Sequence, residues 1–154
     1  MQNLNFTEIT RQKRDFLPLL LLADDGEHLE NYLESGSLFL LSNREKTPIA
    51  VALVAYKQAG IYEIENFAVS THFQKSDYGR KMMQFLLEYY QEKIKATEIV
   101  LGTDDVSGNV QFYEKCGFTI THKIPNYFIE HYENPIFEGK SQLKDKIYLR
   151  RKLR

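Results

Sequence analysis

Two neighbouring stretches of the sequence hold residue types that could do chemistry together. Glu63 and Glu65 lie two positions apart in IYEIENFAV (61–69), and FQKSDYGRKM (73–82) follows, with Gly79 near the start of a long amphipathic segment. A carboxylate can accept a proton from a reacting group. The N-terminus of a helix presents unpaired N–H groups that bind anions. The second stretch is therefore consistent with an anion site, and two carboxylates precede it along the chain.

The aspartate within the second stretch leaves two interpretations open. Gly79 lets a ligand approach the backbone closely, and Arg80 and Lys81 add positive charge nearby. Aspartate, however, is a favoured N-cap residue, so the Asp77 carboxylate could accept hydrogen bonds from the same N–H groups that a phosphate would use. The segment is either an anion site weakened by one negative charge or an ordinary capped helix.

These residues must be positioned by a mixed arrangement of strands and helices. Apolar patterning predicts strands over residues 4–10, 37–43, 49–57, 61–69, 97–103, 118–123 and 147–153. It predicts helices over residues 15–23, 27–34, 78–95 and 107–115. This order indicates an α/β (α+β) fold with a mixed sheet and helices on both faces. The long aromatic region 124–144 either shapes a binding site or packs over the sheet.

The composition limits the class of protein. The chain has 154 residues, so we expect a single domain over residues 1–154. Its 20 basic and 21 acidic side chains give a net charge of −1, without the basic excess of a general nucleic-acid binder. Residues 1–14 lack the apolar stretch of a secretory signal, and the apolar run 16–23 is too short to span a membrane and reads as a buried helix. We therefore expect a cytoplasmic protein that binds neither nucleic acid nor membrane.

Cysteine and histidine usage argues against disulfide, thiol and metal chemistry. The single cysteine, Cys116, has no evident neighbouring base and reads as a half-buried free thiol. The histidines, at positions 28, 72, 122 and 131, do not have metal-ligand spacing. We therefore expect no metal.

Two motifs resemble signatures of the GNAT superfamily of N-acetyltransferases. AVSTHFQKSDYGRKMM (68–83) is similar to the acetyl-CoA loop, in which Gln/Arg-x-x-Gly-x-Gly/Ala opens a helix; Gln74 and Gly79 match, and Asp77 replaces the first glycine. NVQFYEKCGF (109–118) is similar to the second signature, a short helix ending in Phe-Tyr-Glu-Lys-x-Gly-Phe. The resemblance implies the GNAT fold, with a mixed, mostly antiparallel sheet of six to seven strands flanked by about four helices.

The resemblance, which covers roughly residues 47–123, also implies acetyl-CoA as cosubstrate. The Phe67 N–H would polarise the thioester carbonyl in the manner of an oxyanion hole, and Val69 would pair with the pantetheine arm as a strand would. N–H groups from Lys75 to Arg80 would hold the pyrophosphate. The implied cofactor-binding residues are Phe67, Ala68, Val69, Gln74, Lys75, Ser76, Asp77, Gly79, Arg80 and Asn109.

A protonated amine acceptor must lose a proton before it attacks, so the implied reaction needs a base. Without a strand bulge, Glu63, Glu65, Phe67 and Val69 share one face. Glu63 falls where the histone acetyltransferase branch carries its general-base glutamate, which favours Glu63. Four residues of extended strand from Glu63 to Phe67 span roughly 13 Å, so a water relay or a strand distortion would be needed. The alternatives are that both glutamates are solvated, or that they attract a cationic acceptor without moving protons.

The second signature supplies the other candidate for catalysis. Tyr113 matches its tyrosine, which implies a general acid for the CoA thiolate; the alternative is core packing with a satisfied hydroxyl. Family members often carry an asparagine seven residues before this tyrosine, where Val106 stands here. A contact of Asn109 with CoA therefore competes with simple helix capping by Ser107.

Together these features predict an N-acetyltransferase that transfers the acetyl group of acetyl-CoA directly to a primary amine in a ternary complex. The acceptor would be a small-molecule or peptide amine. Glu63, Glu65, Asp104 and Asp105 suggest that it is cationic. The alternative is a catalytically weak GNAT-fold module that binds CoA or acts in sensing or interaction, and Asp77 is its motive. A homodimer is consistent with the resemblance, since many relatives are dimers.

Overall fold

The computed structural model describes residues 3–153. The strands are β1 (Asn5–Ile9), β2 (Ser37–Ser42), β3 (Pro48–Gln58), β4 (Ile61–Val69), β5 (Glu98–Asp104), β6 (Thr119–Ile124), β7 (Phe137–Glu138), β8 (Ser141–Gln142) and β9 (Lys146–Lys152). The α-helices are α1 (Leu17–Leu20), α2 (Gly26–Leu29), α3 (Tyr78–Tyr89), α4 (Asn109–Lys115) and α5 (Tyr127–Glu130). Short 3-10 helices cover Lys13–Phe16 and Thr71–Phe73, and a π-helical turn, Tyr90–Ile94, extends α3.

The main sheet has seven strands in the order β1-β2-β3-β4-β5-β9-β6. Its neighbours are antiparallel except β4 and β5, which are parallel. The chain between β4 and β5 forms α3, as a parallel connection requires. The predicted fold class, a mixed and mostly antiparallel sheet with helices, is confirmed.

Two apolar cores lie on the two faces of the sheet. On one face the stripe of α3 buries Met82, Met83 and Leu86 against strand residues such as Phe39 and Ile64. The second core is rich in leucine. Its leucines come from α1, from α2 and the turns that follow it, and from the neighbouring strands: Leu20, Leu29, Leu33, Leu38, Leu40 and Leu53. The helix spacing that predicted α3 is therefore also what covers one face of the sheet.

The parallel pair separates along its length. Ile61–Ile64 of β4 pair with Glu98–Leu101 of β5, and the pairing stops there. On its other side β4 stays paired with β3 as far as Val69. In the described chain, therefore, no strand pairs with the β5 side of residues 65–69, and this backbone edge is open.

A bulge in β4 changes which residues share a face. Leu53 of β3 pairs with Asn66, but the next residue, Val54, pairs with Ile64, so the residue between them is extra. Ile64 consequently packs into the same core as Phe67, three positions away, which a regular strand forbids. The expectation that Glu63 and Glu65 share one face with Phe67 is wrong for this reason.

The first two predicted helices are shorter than expected. Helix 15–23 divides into a 3-10 turn and α1, and helix 27–34 is helical only over Gly26–Leu29. Hydrogen-bonded turns follow α2, with Leu33 N–H donating to the Leu29 carbonyl. These turns keep apolar residues at helical spacing, so the sequence pattern could not separate them from a continuous helix.

Two loop regions also differ from expectation. The region 124–144 contains α5 and a small hairpin formed by β7 and β8. In the run 16–23, which reads as a buried helix, Leu20 is buried but Leu21 and Leu22 are about half exposed. Within residues 3–153, no helix has both the length and the apolar character that crossing a bilayer demands.

Candidate active site

A cleft of about 1250 Å³ opens where β4 and β5 separate. Its floor is residues 64–69 of β4 and 101–104 of β5. The beginnings of α3 and α4 close one end. The loop before α2 and the segment that runs from α5 into β7, residues 128–138, form the wall at the other end. The aromatic region 124–144 therefore helps to shape the cleft, which was one of its two open interpretations.

Most of the predicted site residues are brought together by this cleft. Those that line it are Phe67, Ala68, Val69, Gln74, Lys75, Asp77, Gly79, Arg80, Asn109 and Tyr113. Glu63 and Ser76 are not among the lining residues, whereas Glu65 and Asn66 are.

At the α3 end, the Asp77 carboxylate does not cap the helix. It accepts hydrogen bonds from the Arg80 guanidinium, with Nε 2.9 Å from Oδ1 and Nη2 2.7 Å from Oδ2. The bond and charge of Arg80 hold the pKa of this carboxyl below its usual range. The Asp77 side chain makes no capping hydrogen bond to α3. The interpretation of this segment as an aspartate-capped helix is therefore wrong, and the Asp77 carboxylate does not occupy the N–H groups of the first turn.

The loop before α3 has the backbone shape that glycine normally supplies. Lys75 and Asp77 have positive φ angles of 63° and 72°, in the left-handed region. Aspartate tolerates this region better than most residues, so it can replace the glycine of the motif without unfolding the loop. Gln74 fastens the loop to the strand, because its Nε2 donates to the Val69 carbonyl at 2.9 Å.

Gly79 is required by packing as well as by the ligand approach. A Cβ at this position would lie 3.3 Å from the Phe112 ring and 3.7 Å from a Val69 methyl group. The missing side chain thus lets the first turn of α3 sit against α4 and β4. That contact holds the helix N-terminus at the end of the open strand edge.

The two glutamates of β4 share one cation. Lys57 Nζ lies 3.4 Å from a Glu63 oxygen and 3.7 Å from a Glu65 oxygen. Burial, with the nearby negative charge of Glu63, raises the pKa of Glu65 to about 7, although the Lys57 charge opposes the shift. Of these two carboxyl groups, only Glu65 lines the cleft. A carboxyl with this pKa exchanges its proton easily near neutral pH.

Tyr113 lines the cleft from α4. It is 8% exposed and packs edge-on against Phe67 and Phe118. Burial raises the pKa of its hydroxyl, which therefore keeps its proton. The ring packs in the core, as one interpretation of Tyr113 held, and the residue also borders the cleft; its role as a general acid stays a prediction.

The start of α4 uses its polar groups internally. The Asp104 carboxylate accepts hydrogen bonds from the N–H groups of Val106 and Ser107 and from the Ser107 hydroxyl. The Asn109 N–H donates to Ser107 Oγ at 3.3 Å, so Ser107 contributes to capping as one interpretation held. Asp104 borders the cleft with its carboxylate engaged, and Asp105 is not a lining residue. These two aspartates therefore do not form an acidic rim.

The wall opposite α3 is held together by a cluster around Asp24. The Tyr32 and Tyr132 hydroxyls each donate to its carboxylate at 2.8 Å. His28 stacks on Tyr132 with ring centroids 3.9 Å apart. We call Asp24, His28, Tyr32 and Tyr132 the wall cluster. It joins the loop before α2 to the segment after α5.

His28 is bonded through both ring nitrogens to acceptors. Nδ1 lies 2.8 Å from Asp25 Oδ1, and Nε2 lies 3.0 Å from the His131 carbonyl oxygen. Burial lowers the pKa of His28, but the Asp25 bond and charge, the Asp24 charge and the His131 carbonyl outweigh it and raise the pKa. Two acceptors satisfy both nitrogens only when the ring is doubly protonated.

Spacing in the sequence did not reveal one group of potential ligands. Asp24, Asp25 and His28 place ligand atoms within 4.8 Å of one another. Their atoms are engaged in the hydrogen bonds described above. Cys116 is a half-buried free thiol, as predicted, and burial raises its pKa.

Sequence reasoning missed the wall cluster and Asn66. Tyr132 and Asp24 are 108 positions apart, so no local pattern could pair them. One feature of the sequence could have pointed to Asn66, which lies beside the bulge: it is an amide in a strand of otherwise apolar and acidic residues. Buried amides in such positions need hydrogen-bond partners and therefore merit attention.

Comparison with known proteins agrees with this geometry. The family model described as "Acetyltransferase (GNAT) family" matches residues 6–118. The uncharacterised N-acetyltransferase YvbK of Bacillus subtilis is 33% identical, over 97% of this chain and 96% of its own length. A GNAT family acetyltransferase from Elizabethkingia anophelis with acetyl-CoA bound is 29% identical with a TM-score of 0.91, covering 99% of both chains. A Bacillus subtilis acetyltransferase in complex with CoA is 28% identical with a TM-score of 0.89, covering 97% of this chain and 99% of its own. The chain therefore belongs to the GNAT family of acetyltransferases.

Proposed function

We propose that this protein is an N-acetyltransferase that moves the acetyl group of acetyl-CoA directly to a primary amine, with both substrates bound together. The observation that carries the proposal is Glu65, a carboxyl of pKa about 7 that lines the cleft beside the open edge of β4. A base of this pKa is half ionised at neutral pH and can take a proton from an ammonium group. Solved relatives that hold acetyl-CoA or CoA support the identity of the donor.

The open edge and the helix N-terminus suit the two ends of the donor. Residues 65–69 present unpaired strand backbone to an extended pantetheine arm, as an added strand would use it. The first turn of α3 and its loop provide N–H groups for the pyrophosphate. The thioester would then lie near Phe67, whose N–H would stabilise the developing oxyanion.

Glu65 is better placed than Glu63 to act as base. Two residues of strand separate Glu65 from Phe67, roughly 7 Å, against roughly 13 Å from Glu63. One water molecule can bridge the shorter distance. In this proposal Glu63 acts through its charge, because it helps to raise the pKa of Glu65.

The reaction then proceeds by direct displacement. The neutral amine attacks the thioester carbon, forming a C–N bond, and its nitrogen, now positively charged, gives one proton to Glu65. The C–S electron pair leaves on the CoA sulfur. The Tyr113 hydroxyl, which keeps its proton because burial raises its pKa, donates a hydrogen bond to that sulfur.

The rival function, a CoA-binding or sensor module of weak activity, was suggested by Asp77 in the phosphate loop. The enzyme is favoured because this carboxylate is bonded to Arg80 and makes no capping hydrogen bond to α3. Glu65 and Tyr113 supply both proton-transfer groups that the enzyme needs.

A thiol-release assay tests the proposal. The protein is supplied with acetyl-CoA and a panel of primary amines: 1,4-diaminobutane, D-glucosamine, L-lysine and a peptide with a free N-terminus. We expect at least one amine to release CoA and to yield its N-acetyl product. Glu65→Gln should lower kcat roughly a hundredfold or more, while Glu27→Gln, an exposed lining glutamate outside the proposed chemistry, should not.

A thermal-shift measurement separates the enzyme from a module that has lost CoA. Acetyl-CoA at ~100 times its dissociation constant should add about 2.7 kcal/mol to the unfolding free energy. Stabilisation without acetylation of any amine would favour the sensor function. The absence of stabilisation would overturn the enzyme and favour a module that has lost CoA.

A further inference from the structure

Asn66 holds an unpaired hydrogen-bond acceptor in the cleft floor. The residue is 3% exposed, and its Nδ2 donates to the Leu20 carbonyl at 2.9 Å. Among the described residues, its Oδ1 is the one buried side-chain polar atom without a hydrogen-bond partner. The orientation of the amide is fixed, because a flip would turn an oxygen toward the Leu20 carbonyl oxygen. An acceptor buried in this state destabilises the fold, so a partner supplied by a ligand is a physical reason for its presence.

Asn66 stands between the two residues to which the proposed function assigns the chemistry. It lies between Glu65, the proposed base, and Phe67, whose N–H would hold the thioester oxygen, and all three line the cleft. Asn66 is bonded to α1 and Ala68 belongs to the core on that side, which is the side of the wall cluster. Phe67 and Val69 face the other core. The amide therefore lies on the acceptor side of the strand, opposite the cofactor side.

We propose that Asn66 Oδ1 accepts the N–H that the acceptor nitrogen keeps throughout the reaction, and that this bond makes the site selective for primary amines. The inference rests on the proposed function. When a neutral primary amine attacks, its lone pair forms the C–N bond and leaves two N–H groups on the nitrogen. One proton passes to Glu65 as the C–S electron pair departs on the sulfur, and the same proton then returns from Glu65 through solvent to the CoA thiolate. The second N–H remains in the product amide and is the one bonded to Asn66.

Other nucleophiles cannot satisfy both groups. A secondary amine or a hydroxyl has one hydrogen on the attacking atom, and Glu65 takes it. Asn66 Oδ1 is then left unpaired in the transition state. A site that hydrogen-bonds its substrate in this way rejects analogues that lack the hydrogen, since its own buried group stays unsatisfied. The discrimination acts in kcat/KM, because the bond must persist from attack to product.

The test compares Asn66→Leu with the wild-type protein. Leucine has a similar volume without an acceptor, so steric discrimination is preserved. Asn134→Leu is the matched control, because Asn134 lines the same cleft but is exposed. The substrates are the panel amine with the highest kcat/KM and its N-methyl derivative, in which the reacting nitrogen is secondary.

We expect the wild-type protein to prefer the primary amine at least tenfold. Asn66→Leu should lower kcat/KM for the primary amine roughly tenfold and narrow the preference, with unchanged acetyl-CoA affinity. A purely structural role would lower kcat/KM equally for the primary amine and for its N-methyl derivative. An unchanged ratio of the two values would therefore overturn the inference. If the variant does not fold, the wild-type ratio decides: no preference for the primary amine overturns it. If the wild-type protein acetylates no amine, the proposed function is wrong, and this inference, which rests on it, is wrong as well.

Discussion

The glutamates of β4 show how two identical residues acquire different surroundings. They share Lys57, yet burial and a like charge raise the pKa of Glu65 to about 7. The bulge puts Glu65 in the cleft, whereas Glu63 is not among its lining residues. One extra residue in a strand thus decides which of the two carboxyl groups borders the cleft.

Glu63→Gln should move the acid limb of the kcat/KM profile to lower pH. The substitution removes a negative neighbour that raises the pKa of Glu65, so the base ionises at a lower pH. Glu65→Gln should abolish the limb. Loss of the limb in Glu63→Gln, with its retention in Glu65→Gln, would instead make Glu63 the base.

Tyr113→Phe should slow turnover roughly a hundredfold, because the departing sulfur loses a hydrogen-bond donor. The ring packing against Phe67 and Phe118 is retained, so the unfolding free energy should change by no more than ~1 kcal/mol. Tyr90→Phe is the control, since Tyr90 is also buried, at the end of α3 outside the cleft. Equal rates in the wild-type and Tyr113→Phe proteins would rule out a role at sulfur.

At the scale of elements, the loop before α3 combines shape and charge. Asp77 fits the left-handed position and pairs with Arg80, which leaves a negative charge close to the proposed phosphate site. The loop conformation and the charge are separable, because asparagine also tolerates positive φ.

Asp77→Asn should therefore tighten acetyl-CoA binding by roughly threefold to tenfold at low ionic strength. The variant keeps the backbone shape, removes the repulsion and frees Arg80 for the phosphate. The gain should shrink as salt is added. Asp105→Asn, outside the cleft, is the control in the same calorimetric titration. Weaker binding by Asp77→Asn would show that the Asp77–Arg80 pair supports the loop.

The predictability of the elements depended on how local their causes are. The α3 stripe and β4 follow from apolar spacing, and the start of α3 was marked by Gly79. The bulge in β4 was not predictable, because it exists only in the register with β3. The direction of the Asp77 side chain was a competition between two local bonds that sequence alone does not rank. The sequence therefore predicted that Asp77 lies at the start of α3, but it did not predict which group its carboxylate would bind.

At the scale of the whole molecule, the wall cluster joins segments about a hundred residues apart. Because the folded-state pKa of His28 is raised, its stabilising contribution is fully present below the unfolded-state pKa, ordinarily about 6.5. It is lost as the pH rises through the folded-state pKa. The wall cluster should therefore contribute less to the unfolding free energy at alkaline pH.

His28→Phe should keep the stack on Tyr132 and lose both hydrogen bonds. The difference in unfolding free energy between wild type and variant should be larger at pH 5.5 than at pH 8.5, as measured by urea denaturation. His122→Phe is the matched control, because His122 also stacks on a tyrosine, Tyr148, and its Nδ1 lies 2.9 Å from the Thr121 hydroxyl oxygen rather than from a carboxylate. A difference that does not vary with pH would show that His28 does not carry a proton in the folded state.

The separation of β4 from β5 has a consequence for how the protein avoids self-association. Unpaired strand backbone at the rim of a sheet recruits other chains and promotes aggregation. Here the free stretch, residues 65–69, is recessed in the middle of the sheet, with β5, β9 and β6 beyond it. A narrow, extended ligand can reach this backbone, but the edge strand of another protein's sheet cannot. The unpaired backbone is therefore accessible to a small ligand and is shielded from strand pairing with other proteins.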